Sequence, residues 1–179
     1  MEINKIFSER FGELVFESGI TPKELAAVLA IDLTDIYAYL KGKNLPRLTV
    51  AIKTADYFCC SMDFLFGRKD EFEKIHCKPA KPFSECFQKL LSERGCKRST
   101  LKSAKLFAKQ TIDDWYHGKR LPTIENLIDL AEYFKCSLDY ILQRNDWQAK
   151  LVKRDWTNLS VLFCLLTFSA CRDIMMSMN

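Results

Sequence analysis

Residues 7–70 and 83–146 align without a gap at an offset of 76, and 22 of the 64 aligned pairs are identical. Unrelated sequence would share roughly four, at about one chance in 16 per position. An internal duplication of this kind requires both copies to fold into the same small unit. It divides the 179 residues into a first domain at 1–70, a linker at 71–82, a second domain at 83–146 and a tail at 147–179. Each copy lies near the lower size limit for independent folding, so its helices must pack efficiently.

Within the first copy, apolar residues at Ile3, Ile6, Phe7, Phe11, Leu14 and Val15 form a helical stripe that Gly19 ends. Thr21, Pro22 and Glu24 then supply a cap, a proline at the first helical position and a glutamate three residues on, the pattern of a capping box. Leu25, Val28 and Leu29 give this second helix its buried side. A third helix is expected to start at Asp32 as its cap, with Ile36, Tyr39 and Leu40 inward and Leu33, Thr34, Tyr37 and Lys41 outward. A turn at 42–47, a fourth helix at 48–58 and a short fifth beginning at Ser61 and Asp63 complete the copy.

The second copy contains the most informative stretch, residues 106–122, LFAKQTIDDWYHGKRLP. It reads as one short helix, with Phe107, Ile112, Trp115 and Tyr116 on a buried face. Lys109, Gln110, Asp113, Asp114 and His117 fall on the opposite side, Gly118 closes the helix and Pro122 forbids its continuation. An apolar back with a hydrogen-bonding front suits insertion into the major groove of DNA. Gln110 pairs with adenine, Lys109 with guanine, and Asp113 accepts from a cytosine amino group. Lys119 and Arg120, like Lys41 and Lys43 in the first copy, are placed for phosphates.

The order of short helices and the residues Leu25, Ala26, Leu29, Ile31, Asp32, Ile36, Gly42, Pro46, Ile52, Ala55, Ser61, Asp63 and Leu65 resemble the phage-repressor-like helix-turn-helix family. That family is also called Cro/cI-type or xenobiotic-response-element type. In the second copy the corresponding residues are Leu101, Phe107, Ile112, Trp115, Gly118, Pro122, Ile128, Ala131, Ser137, Asp139 and Ile141. The resemblance implies an all-α chain of two tandem five-helix lambda-repressor-like DNA-binding domains, with an apolar C-terminal helix added. It also implies a cytoplasmic, bacterial or phage-encoded repressor of transcription with double-stranded DNA as its partner. The recognition helices would lie near 33–41 and 109–117. The DNA-facing residues would be Thr21, Leu33, Thr34, Tyr37, Lys41, Lys43, Ser99, Lys109, Gln110, Asp113, Asp114, His117, Lys119 and Arg120.

Three departures bear on the second copy. Lys97 replaces Thr21 and Ala108 replaces Asp32, so two helix starts are expected to lose a side-chain cap worth roughly 1 kcal/mol each. Ser99 and Thr100 offer a shifted start. Lys105 stands where Leu29 was, which a packed helix accommodates only by letting the ammonium snorkel out.

Charge is mild and uneven. Residues 7–70 carry 8 basic and 9 acidic side chains, net −1, and residues 83–146 carry 11 and 9, net +2. Lys97, Arg98, Lys102, Lys105 and Lys109 crowd the approach to the second recognition stretch. The eight cysteines contain no C-x-x-C pair and form no ligand cluster with His76 and His117, so reduced thiols and no metal are expected. No glycine-rich phosphate loop and no nucleophile with a positioned histidine is present, so no enzyme and no cofactor is expected. Residues 159–171 are uncharged over 13 positions, about 20 Å as a helix and too short for a bilayer core of roughly 30 Å. Burial against the second domain, or in a homodimer through the tail, is the expectation rather than a membrane anchor. The alternative function is a protein-interaction module on the same fold, antitoxin- or adaptor-like, with little DNA binding by the first copy.

Overall fold

The computed structural model describes residues 3–72, 74 and 81–144. Among the described residues there are ten helices: α1 (Ile3–Ser18), α2 (Pro22–Leu29), α3 (Leu33–Leu40), α4 (Leu48–Tyr57), α5 (Met62–Leu65), α6 (Phe83–Glu93), α7 (Arg98–Ser103), α8 (Lys109–Tyr116), α9 (Ile124–Phe134) and α10 (Leu138–Ile141). No strand occurs among the described residues. Subtracting 76 carries α8 onto α3 and α10 onto α5 residue for residue. The expected linker falls largely, and the apolar stretch 159–171 wholly, outside the described residues.

Aromatic pairs nucleate the same packing in each half. Phe7 stacks on Phe11 at 5.4 Å and meets Tyr39 of α3 edge-on. In the second half Phe83 stacks on Phe87 at 5.8 Å, and both meet Trp115 of α8 edge-on. Helical spacing puts these rings on one stripe of the first helix, which is why that helix carries α3 or α8 on its buried side. The buried apolar residues of both halves join in one cluster, and Met1–Asp146 packs as one compact unit.

The helix starts differ in chemistry. At α2 the Glu24 backbone N–H donates to Thr21 Oγ1 (3.3 Å) while the Thr21 N–H donates to Glu24 Oε2 (2.9 Å). The Thr21 hydroxyl bond holds the Glu24 carboxyl below its usual range. Lys97 gives α7 no such cap, and neither Ser99 nor Thr100 shifts the start. Asp32, expected to cap α3, makes no side-chain cap bond, so Ala108 ahead of α8 loses nothing relative to it. Lys105 does not snorkel from a helix. The helix ends at Ser103, Lys105 turns left-handed (φ 58°) with its side chain exposed, and Phe107 drops into the core. An ammonium that cannot be buried has moved the turn one residue earlier than in the first half, where Ala30 takes it (φ 55°).

The halves are joined through their last helices. Ser61 caps α5 and Ser137 caps α10, each satisfying the third amide of its own helix. The first amide is satisfied by the other half: Met62 N–H donates to Asp139 Oδ2 and Leu138 N–H to Asp63 Oδ2, both at 2.9 Å. Arg68 donates to Asp63 Oδ1 (2.6 Å) and to the Cys136 carbonyl (3.2 Å). Arg144, its side chain fully buried, donates to Asp139 and to Asp56 (2.7 Å). Residue i meets the partner of j as j meets the partner of i, the signature of an approximate two-fold relation.

Removing one member of a buried ion pair strands the other, at about 3–5 kcal/mol. Asp139→Ala is therefore expected to lower the unfolding free energy by about that much at pH 7 in urea denaturation. Burial, with Asp63 beside it, pushes the Asp139 carboxyl up to about 6 from 3.8, while Arg144 opposes the shift. The folded chain thus holds a proton between about pH 4 and 6 that the unfolded chain has released. The stability due to Asp139 is greatest below that window and falls as pH rises through it. The wild type should therefore lose stability relative to Asp139→Asn from pH 4 to pH 7.

Candidate nucleic-acid interface

The described part of residues 106–122 is one eight-residue helix, α8, with irregular chain on either side. Ile112 and Trp115 are buried on its back and Tyr116 is half-buried; Phe107 is buried too, but it precedes the helix rather than sharing its face. Lys109, Gln110 and His117 are exposed, as are Lys119 and Arg120 just beyond the end. Gly118 is left-handed at φ 70°, letting Lys119 N–H close on the Asp114 carbonyl at 2.8 Å. A β-carbon there would also approach Ser84 Oγ to 3.2 Å, so the turn packs closely against α6.

A side chain from the first helix of each half anchors the end of α3 and of α8. Gln88 donates to the Tyr116 carbonyl at 2.8 Å, and Ser8 donates to the Leu40 carbonyl at 2.7 Å. Tyr116 and Leu40 are equivalent under the offset, so one otherwise orphaned carbonyl is satisfied in each half by a different donor.

The Asp113 carboxylate is engaged within the chain. Its carboxylate takes Lys102 Nζ at 2.7 Å and Arg98 Nη1 at 3.2 Å, and the Lys102 hydrogen bond chiefly holds it below its usual range. Arg98 lies over the Tyr116 ring at 4.2 Å, with Nη1 3.5 Å from His117 Nε2. This cluster braces α7 against α8 and supplies the rigidity that α7 lacks at its uncapped start. Asp114 accepts from Gln110 Nε2 at 2.9 Å, one helical turn away, which sets the direction of the Gln110 amide.

In the first half Leu33, Thr34, Tyr37, Lys41 and Lys43 are all exposed on or just past α3. The Thr21 hydroxyl is engaged by Glu24 Oε2 at 2.6 Å as part of the cap, although the residue remains exposed. Ser99 is exposed within α7, its carbonyl accepting from Ser103 Oγ. Arg98 and Gln88 were missing from the expected set. The spacing of Arg98 and Lys102, one turn apart, marks a shared face but does not reveal the carboxylate it meets. Together α6, α7 and α8 border an open groove of about 1090 Å³ lined by Lys97, Arg98, Ser99, Lys102, His117 and Lys119. Among the described residues no group of His, Cys, Asp and Glu is placed to hold a metal ion. No described helix is long and apolar enough to cross a membrane.

Residues 88–141 match the helix-turn-helix family model, a match that lies within the second half and takes in α7, α8, α9 and α10. No curated protein and no solved structure matches the chain. The helix-turn-helix domain is a DNA-binding regulatory domain rather than a catalytic one, and residues 88–141 are similar to it.

The brace at Asp113 has a testable sign. A carboxyl held below its ordinary range stabilises the fold above that range and ceases to do so as pH falls through it. Asp113→Asn is expected to lower the melting temperature at pH 7, with the deficit shrinking as pH falls below the ordinary carboxylate range, as thermal denaturation followed by circular dichroism will register.

Proposed function

We propose that the chain is a sequence-specific double-stranded DNA-binding regulator of transcription, a repressor, that lays α8 in the major groove. The observation that carries this reading is the division of α8 into a back buried by Ile112 and Trp115 and a front that leaves Lys109, Gln110 and His117 in solvent. The match of residues 88–141 to the helix-turn-helix family supports it. Lys109 and Gln110 stand in the first turn of α8, the end from which a recognition helix reaches base edges. Gln110 offers an amide acceptor and donor to adenine, and Lys109 donates to guanine. Lys119, Arg120 and the cations around the groove take phosphates, which fix register and carry most of the salt dependence. Repression by occupancy then needs only that the bound chain cover a promoter.

Selection of bound duplexes from a random pool, followed by fluorescence anisotropy on the selected site, tests this. Lys109→Ala with Gln110→Ala should weaken the selected site by about 1–3 kcal/mol per lost base contact and flatten its sequence preference. Lys119→Ala should weaken all sequences alike and reduce the salt slope by about one. Binding that ignores salt, or that survives the double substitution with its preference intact, overturns the reading.

A further inference from the structure

In the first half the end of α2, α3, the turn after it and the start of α4 border an open cavity of about 640 Å³, within the size range of small-molecule sites. Its α3 wall carries Asp35 and Tyr39, one helical turn apart. Its α4 wall carries Lys53, with Arg47 at the cap position of that helix. Tyr39 is buried, its ring edge-on to Phe7 and Phe11. Burial raises the pKa of its phenol, Asp35 adds to the rise and Arg47 opposes it, so a carboxylate and a guanidinium act on the same hydroxyl. Among the described residues the Asp35 and Arg47 side chains nevertheless form no ion pair, with each other or with any other group. Lys53 Nζ donates to the Leu29 carbonyl at 3.2 Å and keeps two further donors. Ile31, Leu45 and Val50 add a half-buried apolar lining. We propose that this cavity binds a free aliphatic α-amino acid, its carboxylate on Arg47 and Lys53, its ammonium on Asp35 and its side chain against Ile31, Leu45 and Val50.

A zwitterion is the ligand that meets both walls at once. A simple anion would suit Arg47, whose fork takes a carboxylate through two parallel bonds, but would face the Asp35 carboxylate; a simple cation would face Arg47 and Lys53. The second half keeps the helices and discards this lining. Asp35, Arg47 and Lys53 are matched there by Thr111, Thr123 and Asp129. Tyr39 is matched by Trp115, whose ring meets Phe107 at 4.9 Å, and Phe107 holds the place of Ile31. Thr123 caps α9 by accepting from the Asn126 N–H, whereas Arg47 gives α4 no side-chain cap. A position that served the fold alone would be better filled by threonine, so the guanidinium is there for another partner. Nothing in this inference draws on α8 or on DNA.

Calorimetric titration of the full chain tests it, with L-leucine, L-isoleucine and L-valine as probes. At least one of them should bind, one per chain. Isocaproate, which is leucine without its ammonium, and isoamylamine, which is leucine without its carboxylate, should each bind about tenfold more weakly or worse, because each gives up hydrogen bonds between charged groups. Asp35→Thr and Arg47→Thr install the residues of the second half at positions outside the core. Each should melt at or above the wild-type temperature without ligand and lose about tenfold or more in amino-acid affinity. Absence of binding by all three amino acids, or binding that survives both substitutions, overturns the inference. Isocaproate binding as tightly as leucine, or inorganic phosphate binding that Arg47→Thr removes, also overturns it and gives the cavity to a plain anion.

Discussion

Each half of the molecule ends in a four-residue helix that begins with an amide its own half does not satisfy, and the carboxylate that satisfies it comes from the other half. A helix that short has no stability of its own. Cross-capping by Asp63 and Asp139 makes the last element of either half conditional on the other. Burying two carboxylates so close together is costly, and Arg68 and Arg144 offset the cost from equivalent positions, five residues after the aspartate each one meets. The four residues are identical in pairs at the offset of 76, which is what a self-complementary interface needs if one half is to meet the other in an isologous way.

Around that shared joint the two halves hold α3 and α8 by different means. The first has a capping box at α2 and Tyr39 in its core. The second has no cap at α7, a shorter helix and a left-handed lysine, and in exchange an ionic brace from Arg98 and Lys102 to Asp113. Its core holds Trp115 where the first has Tyr39, and the Trp115 Nε1 is buried without a hydrogen-bond partner, an arrangement that costs about 1–3 kcal/mol. Its front is the polar one, and its surroundings are the more basic.

Much of this was legible before any coordinates. Glycines, the Thr21–Glu24 pair and the apolar stripes located the helices of the first half, and the offset of 76 transferred them to the second. The exposed fronts of α3 and α8 follow from helical spacing alone. What periodicity does not carry is contact between residues distant in the chain. Asp63 read as a start signal for its own helix, yet it serves the other half, 75 residues away. Nothing local to Asp113 shows that Lys102 reaches it. Asp32 has the right residue type and position for a cap without the bond, and Lys105 was placed in a helix that the chain leaves to keep its charge in water.

The joint between α5 and α10 is tested most directly by amide hydrogen exchange at Met62 and Leu138 in the native chain. If each carboxylate locks the other half, both amides exchange only through one common opening, with matching protection close to that of global unfolding. Fast exchange at either amide, or two clearly different opening free energies, would show that the halves come apart independently and that the α5–α10 joint does not hold them together.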